Sequence, residues 1–196
     1  MHDVDIRQAL KAKLETLYQD DPDTLILDEL GLFQGATRVD VAVINGEITG
    51  YEIKSDRDTL ARLPAQVDLY SRILDRAILV VGPSHLEAVT TIVPNWWGIQ
   101  EAVVVDESVV LVTHREPAVN PNVDPYALVQ LLWRSEALEV LEELGLDRGL
   151  RSKPRHILWN TLVDHLPIDD LRAKVRSRMK SRKNWRAGRQ RRPGDD

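Results

Sequence analysis

Residues 39–54 read VDVAVINGEITGYEIK, and the fold turns on this stretch. Val39, Val41 and Val43 alternate with Asp40, Ala42 and Ile44, the period-two pattern of a buried strand. Asn45-Gly46 follows, a dipeptide that favours the tight turn of a β-hairpin. Residues 48–54 resume as a returning strand, where Glu52 and Lys54 lie two apart and share a face. Whether Asp40 joins them depends on register. A two-residue Asn45-Gly46 turn sets Asp40 opposite Tyr51 and sends Glu52 through the other face. A three-residue loop over 45–47, or a bulge at Gly50, moves the pairing by one and brings the acids together. One of these two is predicted.

Working outward, Ile6, Ala9, Leu10, Leu14 and Leu17 have helical spacing over residues 3–18, with Asp3 as the expected N-cap. Residues 24–27 form a short β-rich run ending at Asp28-Glu29. Leu60, Leu63, Val67, Tyr70 and Leu74 form a helical stripe in which Pro64 must start or kink the helix. Residues 77–81 predict a buried strand closed by Gly82-Pro83. Ser84 is the expected cap of a short helix through Val93. Residues 102–105 and 109–113 predict two further strands. Residues 116–125 hold three prolines and two asparagines and read as a linker. Beyond it the pattern is helical only: residues 126–144 ending at Gly145, residues 155–166, and a basic helix capped by Asp169 or Asp170 that runs toward Trp185. The expected fold class is α/β, a mixed sheet flanked by helices over residues 1–116, followed by a small α-helical domain over residues 117–196.

The 196 residues are 43% hydrophobic and 29% charged, as in a soluble globular protein. There is no cysteine, which excludes disulfides, cysteine-ligated zinc and thiol nucleophiles. No apolar run reaches the roughly 18 residues that cross a bilayer, and the start of the chain lacks signal-peptide order, so a cytoplasmic protein is expected. Residues 172–192 carry eleven Lys or Arg and no acid. Removing those eleven charges from the net −5 leaves −16 for the remainder, so only this end is expected to seek a polyanion. The alternative is a solubilising or partner-binding tail.

A carboxylate inside a buried strand is costly unless it is paired or holds a metal. Asp40 and Glu52 on neighbouring strands offer hard oxygen ligands suited to Mg²⁺ (or Mn²⁺), with Lys54 beside them to orient water or stabilise a phosphodiester in hydrolysis. Gln66 and Tyr70, four apart on the next helix, share one face. The competing reading of Asp40, Glu52 and Lys54 is a structural ion cluster.

Asp40 followed by Tyr51-Glu52-Ile53-Lys54 resembles the D…(D/E)-X-K signature of the PD-(D/E)XK, restriction-endonuclease-like nuclease superfamily, with Val39 where that signature has proline. Residues 66–70, QVDLY, resemble its Q-x-x-x-Y element. Residues 50–56 together with Arg62-Leu63-Pro64 and Trp96-Trp97-Gly98 are similar to an uncharacterised bacterial and phage family within it. The resemblance implies a restriction-endonuclease-like core and metal-dependent hydrolysis of nucleic acid, DNA above all. It implies Asp40, Glu52 and the Ile53 backbone carbonyl as metal ligands, and Lys54 as the catalytic lysine. Gln66 and Tyr70 would support the site, and Glu29, or else Glu15, would complete it. Arg172, Lys174, Arg176, Arg178, Lys180, Arg182, Lys183 and Arg186 are the expected phosphate contacts. The alternatives are a catalytically inactive nuclease-fold protein that binds DNA or regulates, and a protein-interaction module. Trp96-Trp97 read as core cover before base stacking, and Asp56-Arg57-Asp58 as a helix cap. The five histidines lack metal-ligand spacing. No phosphate-binding glycine loop, dinucleotide fingerprint or serine-hydrolase elbow is present.

Overall fold

The computed structural model describes residues 1–182. Its elements follow in the order α1 (Asp3–Leu17), β1 (Leu25–Leu32), β2 (Thr37–Ile44), β3 (Ile48–Lys54), α2 (Leu63–Ser71), β4 (Arg76–Val81), α3 (Leu86–Ile92), β5 (Gly98–Val105), β6 (Ser108–Arg115), α4 (Pro125–Val129), α5 (Arg134–Glu143), α6 (Arg155–His165) and α7 (Ile168–Ser181). The result is a mixed α/β fold on one six-stranded sheet in the order β1-β2-β3-β4-β5-β6. The first three strands and the last pair are antiparallel, whereas β3, β4 and β5 run parallel, joined by crossovers through α2 and α3. Among the described residues no helix is long and apolar enough to cross a membrane.

One face of the sheet is covered by α1, whose Ile6, Leu10 and Leu14 meet Val41, Val43, Tyr51, Ile53, Ile78 and Val80. The other face packs against α2, Trp97 and the C-terminal helices in a single apolar cluster. Covered on both faces, β4 is apolar from Ala77 through Val81, as a parallel central strand should be. The C-terminal helix α7 joins through Leu171, Val175 and Met179, spaced four apart and fully buried.

Several expected boundaries shift. The N-cap of α1 is His2, and Asp5 reaches back to accept its backbone N–H at 2.8 Å, so Asp3 opens the helix rather than capping it. Strand β1 runs to Leu32, longer than the β-rich run at 24–27. Ser84 caps no helix; its backbone N–H and hydroxyl both donate to Asp56, at 3.0 and 2.7 Å. Asp169 and Asp170 lie in the first turn of α7, behind Pro167 at the N-cap, and Trp185 lies outside the described residues. The helix expected over 126–144 is two helices broken at residues 130–133. Distant groups make the break: Arg182 donates to the Leu131 carbonyl at 2.6 Å and Trp159 Nε1 to that of Leu132 at 3.2 Å. Glu136 then accepts the Trp133 N–H at 2.8 Å to restart the helix.

The alternation of β2 also departs from the expected pattern. Val41 and Val43 face α1, but Val39 packs on the opposite side with Ala42 and Ile44. On β1 the same reset puts Leu27, Leu30 and Leu32 on one side. Glu29 lies between them with φ +56°, a left-handed conformation that interrupts the pleat.

The proline-rich segment 116–124 has no regular structure, yet it is firmly held. Its Asn120 is buried and donates from Nδ2 to the carbonyls of Ser71 and Leu74 at 2.7 and 2.8 Å. Asn120→Ala leaves both carbonyls without that donor, so it should cost about 1–3 kcal/mol, read as a lower urea midpoint with an unchanged slope.

Candidate functional site

The β2–β3 hairpin closes with Ile44 opposite Ile48, across the three-residue loop 45–47. Asn45 stiffens that loop by accepting the Glu47 N–H on its side-chain oxygen at 3.2 Å. The ladder runs to Val41 opposite Tyr51, so the next positions bring Asp40 and Glu52 side by side. The loop, not a bulge at Gly50, sets this register. A Cβ at Gly50 would lie 2.4 Å from Leu74 Cδ1, so glycine is there for close packing.

Beyond Val41 the Asp40 side chain takes over from the ladder. Its Oδ2 accepts the Ile53 backbone N–H at 2.8 Å. From α1, Arg7 donates to Asp40 Oδ1 and to the Asp40 carbonyl, both at 2.7 Å. Arg7 also lies 3.5 Å from Glu29, on β1. Glu29 lines the same cleft as Asp40, Glu52, Ile53 and Lys54; Glu15, on an exposed turn of α1, does not.

Glu52 is 3% exposed. Its Oε1 accepts from Lys54 and, at 2.5 Å, from Gln66 Nε2. Its Oε2 accepts from the Tyr70 hydroxyl at 2.9 Å, which also reaches the Arg38 carbonyl. Thus Gln66 and Tyr70, one turn apart on α2, both act on one carboxylate. The Tyr70 ring is held by parallel stacking on Trp97, which is wholly buried. Trp97 is therefore core, as expected, and not a platform for bases. Asp58 does not cap α2: it accepts from both the backbone and the hydroxyl of Ser55.

Burial first, and then the negative charge of Asp40, hold the Glu52 carboxyl above the usual carboxylate range, against the pull of Lys54 and Tyr70. Burial and Glu52 likewise raise the Tyr70 hydroxyl, so it stays a donor. Arg38 and Arg62 also line the cleft, of about 480 Å³, and Arg62 is exposed. Among the described residues no group of three or more His, Asp or Glu gathers to enclose an ion. What converges is a pair of carboxylates from adjacent strands, together with the Gln66 Oε1, which is buried without a hydrogen-bond partner. Two carboxylates and retained waters are a donor set that suits Mg²⁺.

Of these groups, Arg7 and Arg38 were not singled out in the sequence, and Arg62 entered only with the family resemblance and without a site role. Asp3 and Arg7 are spaced as an ordinary helix-surface pair, and nothing local marks Arg7 as a clamp.

The basic residues of α7 turn back onto the chain's own acids. Arg172 lies 3.0 Å and Arg176 3.9 Å from the buried Asp75. Lys174 and Arg178 pair with Glu143, Lys180 with Asp23, and Arg182 with Glu136. Lys183 and Arg186 lie outside the described residues.

A mixed α/β protein with a buried Glu–Lys–Tyr cluster, a half-buried glutamine bonded to it and a clamped aspartate at one cleft is the class that fold and site define. Residues 3–191 match the family model described as Bacteriophage P4 protein cII, and the chain belongs to that family. It is 26% identical over 137 residues to "Protein cII" of Enterobacteria phage P4, an alignment covering 69% of this chain and 52% of that protein. The chain thus spans about half the length of the curated relative it matches. No solved structure matches it.

The raised Glu52 carboxyl has a consequence for stability. The folded chain holds that proton more tightly than the unfolded chain does, so Glu52 contributes less to stability as pH climbs from the ordinary carboxylate value toward the raised one. Glu52→Gln has no such proton. Denaturant unfolding followed upward from about pH 4 should show the wild type losing ground to Glu52→Gln as pH rises, and a pH-independent gap contradicts the assignment.

Proposed function

We propose that this protein is a metal-dependent nuclease with a restriction-endonuclease-like core, hydrolysing phosphodiester bonds of nucleic acid, with DNA as the first candidate. One observation carries the reading: the hairpin register brings Asp40 beside Glu52 and Lys54 in one cleft. The order of three antiparallel strands, a helix and a parallel strand, with Gln66 and Tyr70 on that helix bonded to Glu52, supports it.

In this reading Asp40, Glu52 and the Ile53 carbonyl would hold Mg²⁺ (or Mn²⁺). The bound ion would neutralise phosphate charge and activate water. Asp40 is oriented by Arg7 and the Ile53 N–H. Gln66 and Tyr70 fix the Glu52 carboxylate through hydrogen bonds to opposite oxygens. Lys54 pairs with Glu52, and its ammonium would be the donor offered to the phosphate. Glu29 tunes the site through Arg7. Because the basic residues of α7 are ion-paired, phosphate contact through them exchanges one pair for another. Arg38, loosely paired with Glu29 at 3.8 Å, and the exposed Arg62 line the cleft itself and are the more direct phosphate contacts.

A second reading is a nucleic-acid-binding protein without catalysis. It is favoured by the full set of internal partners on both carboxylates, which balances their charge with no ion present.

Supercoiled and linear DNA incubated with Mg²⁺ or Mn²⁺ should be cut by the wild type. Asp40→Ala should abolish cutting, and Lys54→Ala should lower kcat by about 10²–10³ with metal affinity retained. Cutting that survives Asp40→Ala excludes this site as the catalyst, and DNA binding without cutting in either metal selects the second reading. On the salt dependence of DNA binding, Arg38→Ala with Arg62→Ala should reduce the log–log slope by about 2.

A further inference from the structure

Strand β6 is the last of the sheet, and no strand lies beyond it among the described residues. Eight residues long, it reads SVVLVTHR. The turn before it is a two-residue Asp106-Glu107 turn with φ of +45° and +64°, so Val105 and Ser108 are its closing pair. In an antiparallel ladder closed in this way, alternate residues point their backbone groups inward and outward. Val109, Leu111 and Thr113 therefore turn their N–H and C=O groups away from β5.

The side chains follow the same alternation. Val109 and Leu111 pack on the α1 side. Val110 and Val112 take the other face and stand 44% and 42% exposed, with Val105 next to them at 49%. Natural edges of this length are blunted by lysine, proline, a bulge or a covering helix. Here residues 108–113 contain no charged residue and no proline, and the one register shift lies past them, toward Arg115.

We propose that β6 pairs with β6 of a second copy of this chain, antiparallel about a twofold axis through Leu111, to make one continuous sheet. The sequence is self-complementary in that register. Leu111 meets Leu111 of the partner subunit, and Val109 meets Thr113 of the partner subunit, using all three outward-facing backbone positions. Val110 meets Val112 of the partner subunit on the open face, covering the exposed valines twice over. Residues 108–113 carry no charge, so no like charges face each other within the paired segment. A twofold axis needs a surface that complements itself, and this edge does so in backbone groups and apolar side chains together. The surface is separate from the cleft, so the proposal stands independently of the nuclease reading.

Sedimentation velocity on the full chain at tens of micromolar should give a species of twice the 22.3 kDa chain mass. Val110→Lys combined with Val112→Lys should return it to the single-chain mass with an unchanged far-UV circular dichroism spectrum. A wild type that stays at the single-chain mass overturns the proposal, as does a dimer that survives both lysines. Register is tested separately, because the chain has no cysteine of its own. An equimolar mixture of Val110→Cys and Val112→Cys should form interchain disulfides several-fold faster than either variant alone. Equal rates overturn the Leu111 axis.

Discussion

The β2–β3 hairpin has one constraint on which the cleft depends: the loop 45–47 is three residues long, and so Asp40 and Glu52 fall on the same side of the turn count. With one residue fewer, the period-two geometry of strands would send one acid into the α1 layer. The consequence is electrostatic. Two carboxylates close together, one of them buried, repel and lose hydration, and the fold must answer with donors. It does so from three different elements. Arg7 comes from α1, the Ile53 N–H and Lys54 from β3, and Gln66 and Tyr70 from α2.

The supporting layers make sense as the means of holding those donors. Tyr70 reaches Glu52 because its ring lies flat against Trp97, and Trp97 Nε1 in turn reaches Ser71 at 3.3 Å. The segment after β6 runs back along the end of α2, where Asn120 ties down two carbonyls and the Asp124 backbone donates to that of Arg72 at 2.9 Å. Asp75 sits where these threads meet. It accepts the Ile48 N–H at 2.8 Å and faces Arg172 and Arg176 of α7, while burial lifts its carboxyl above the usual range. The C-terminal helix is thereby joined to the start of the strand that carries Glu52 and Lys54. A helix that reads as a basic surface in the sequence is, over its described length, an ion-paired layer over an acidic body.

Membership of the phage P4 protein cII family and the internal geometry of the cleft are separate facts with separate weight. The family model spans nearly the whole chain, the C-terminal helices included, so sheet and helices are inherited together. A shared apolar cluster joins them physically: Trp159, Leu162, Leu171 and Met179 belong to the same buried group as Leu79 and Val81 of the central strand.

By itself the sequence determined the local periods. The bounds of β3, the proline-started α2, the buried β4, the glycine with φ +71° behind α5 and the spacing of Gln66 and Tyr70 were all legible, because each rests on side-chain spacing or on backbone preferences of Gly and Pro. It also limited the hairpin to two devices, a bulge at Gly50 or a three-residue loop, that could shift the register by one and unite the acids. Tertiary structure alone decided the rest. It chose the loop, reset the pleat at Glu29 and Asp40, broke the helix at 130–133 with donors from Arg182 and Trp159, and brought Arg7 across 33 positions to Asp40. It also spent the cations of α7 on distant acids. Each of these depends on partners far apart in the chain, and a pattern read over a few residues carries no information about which distant group will arrive.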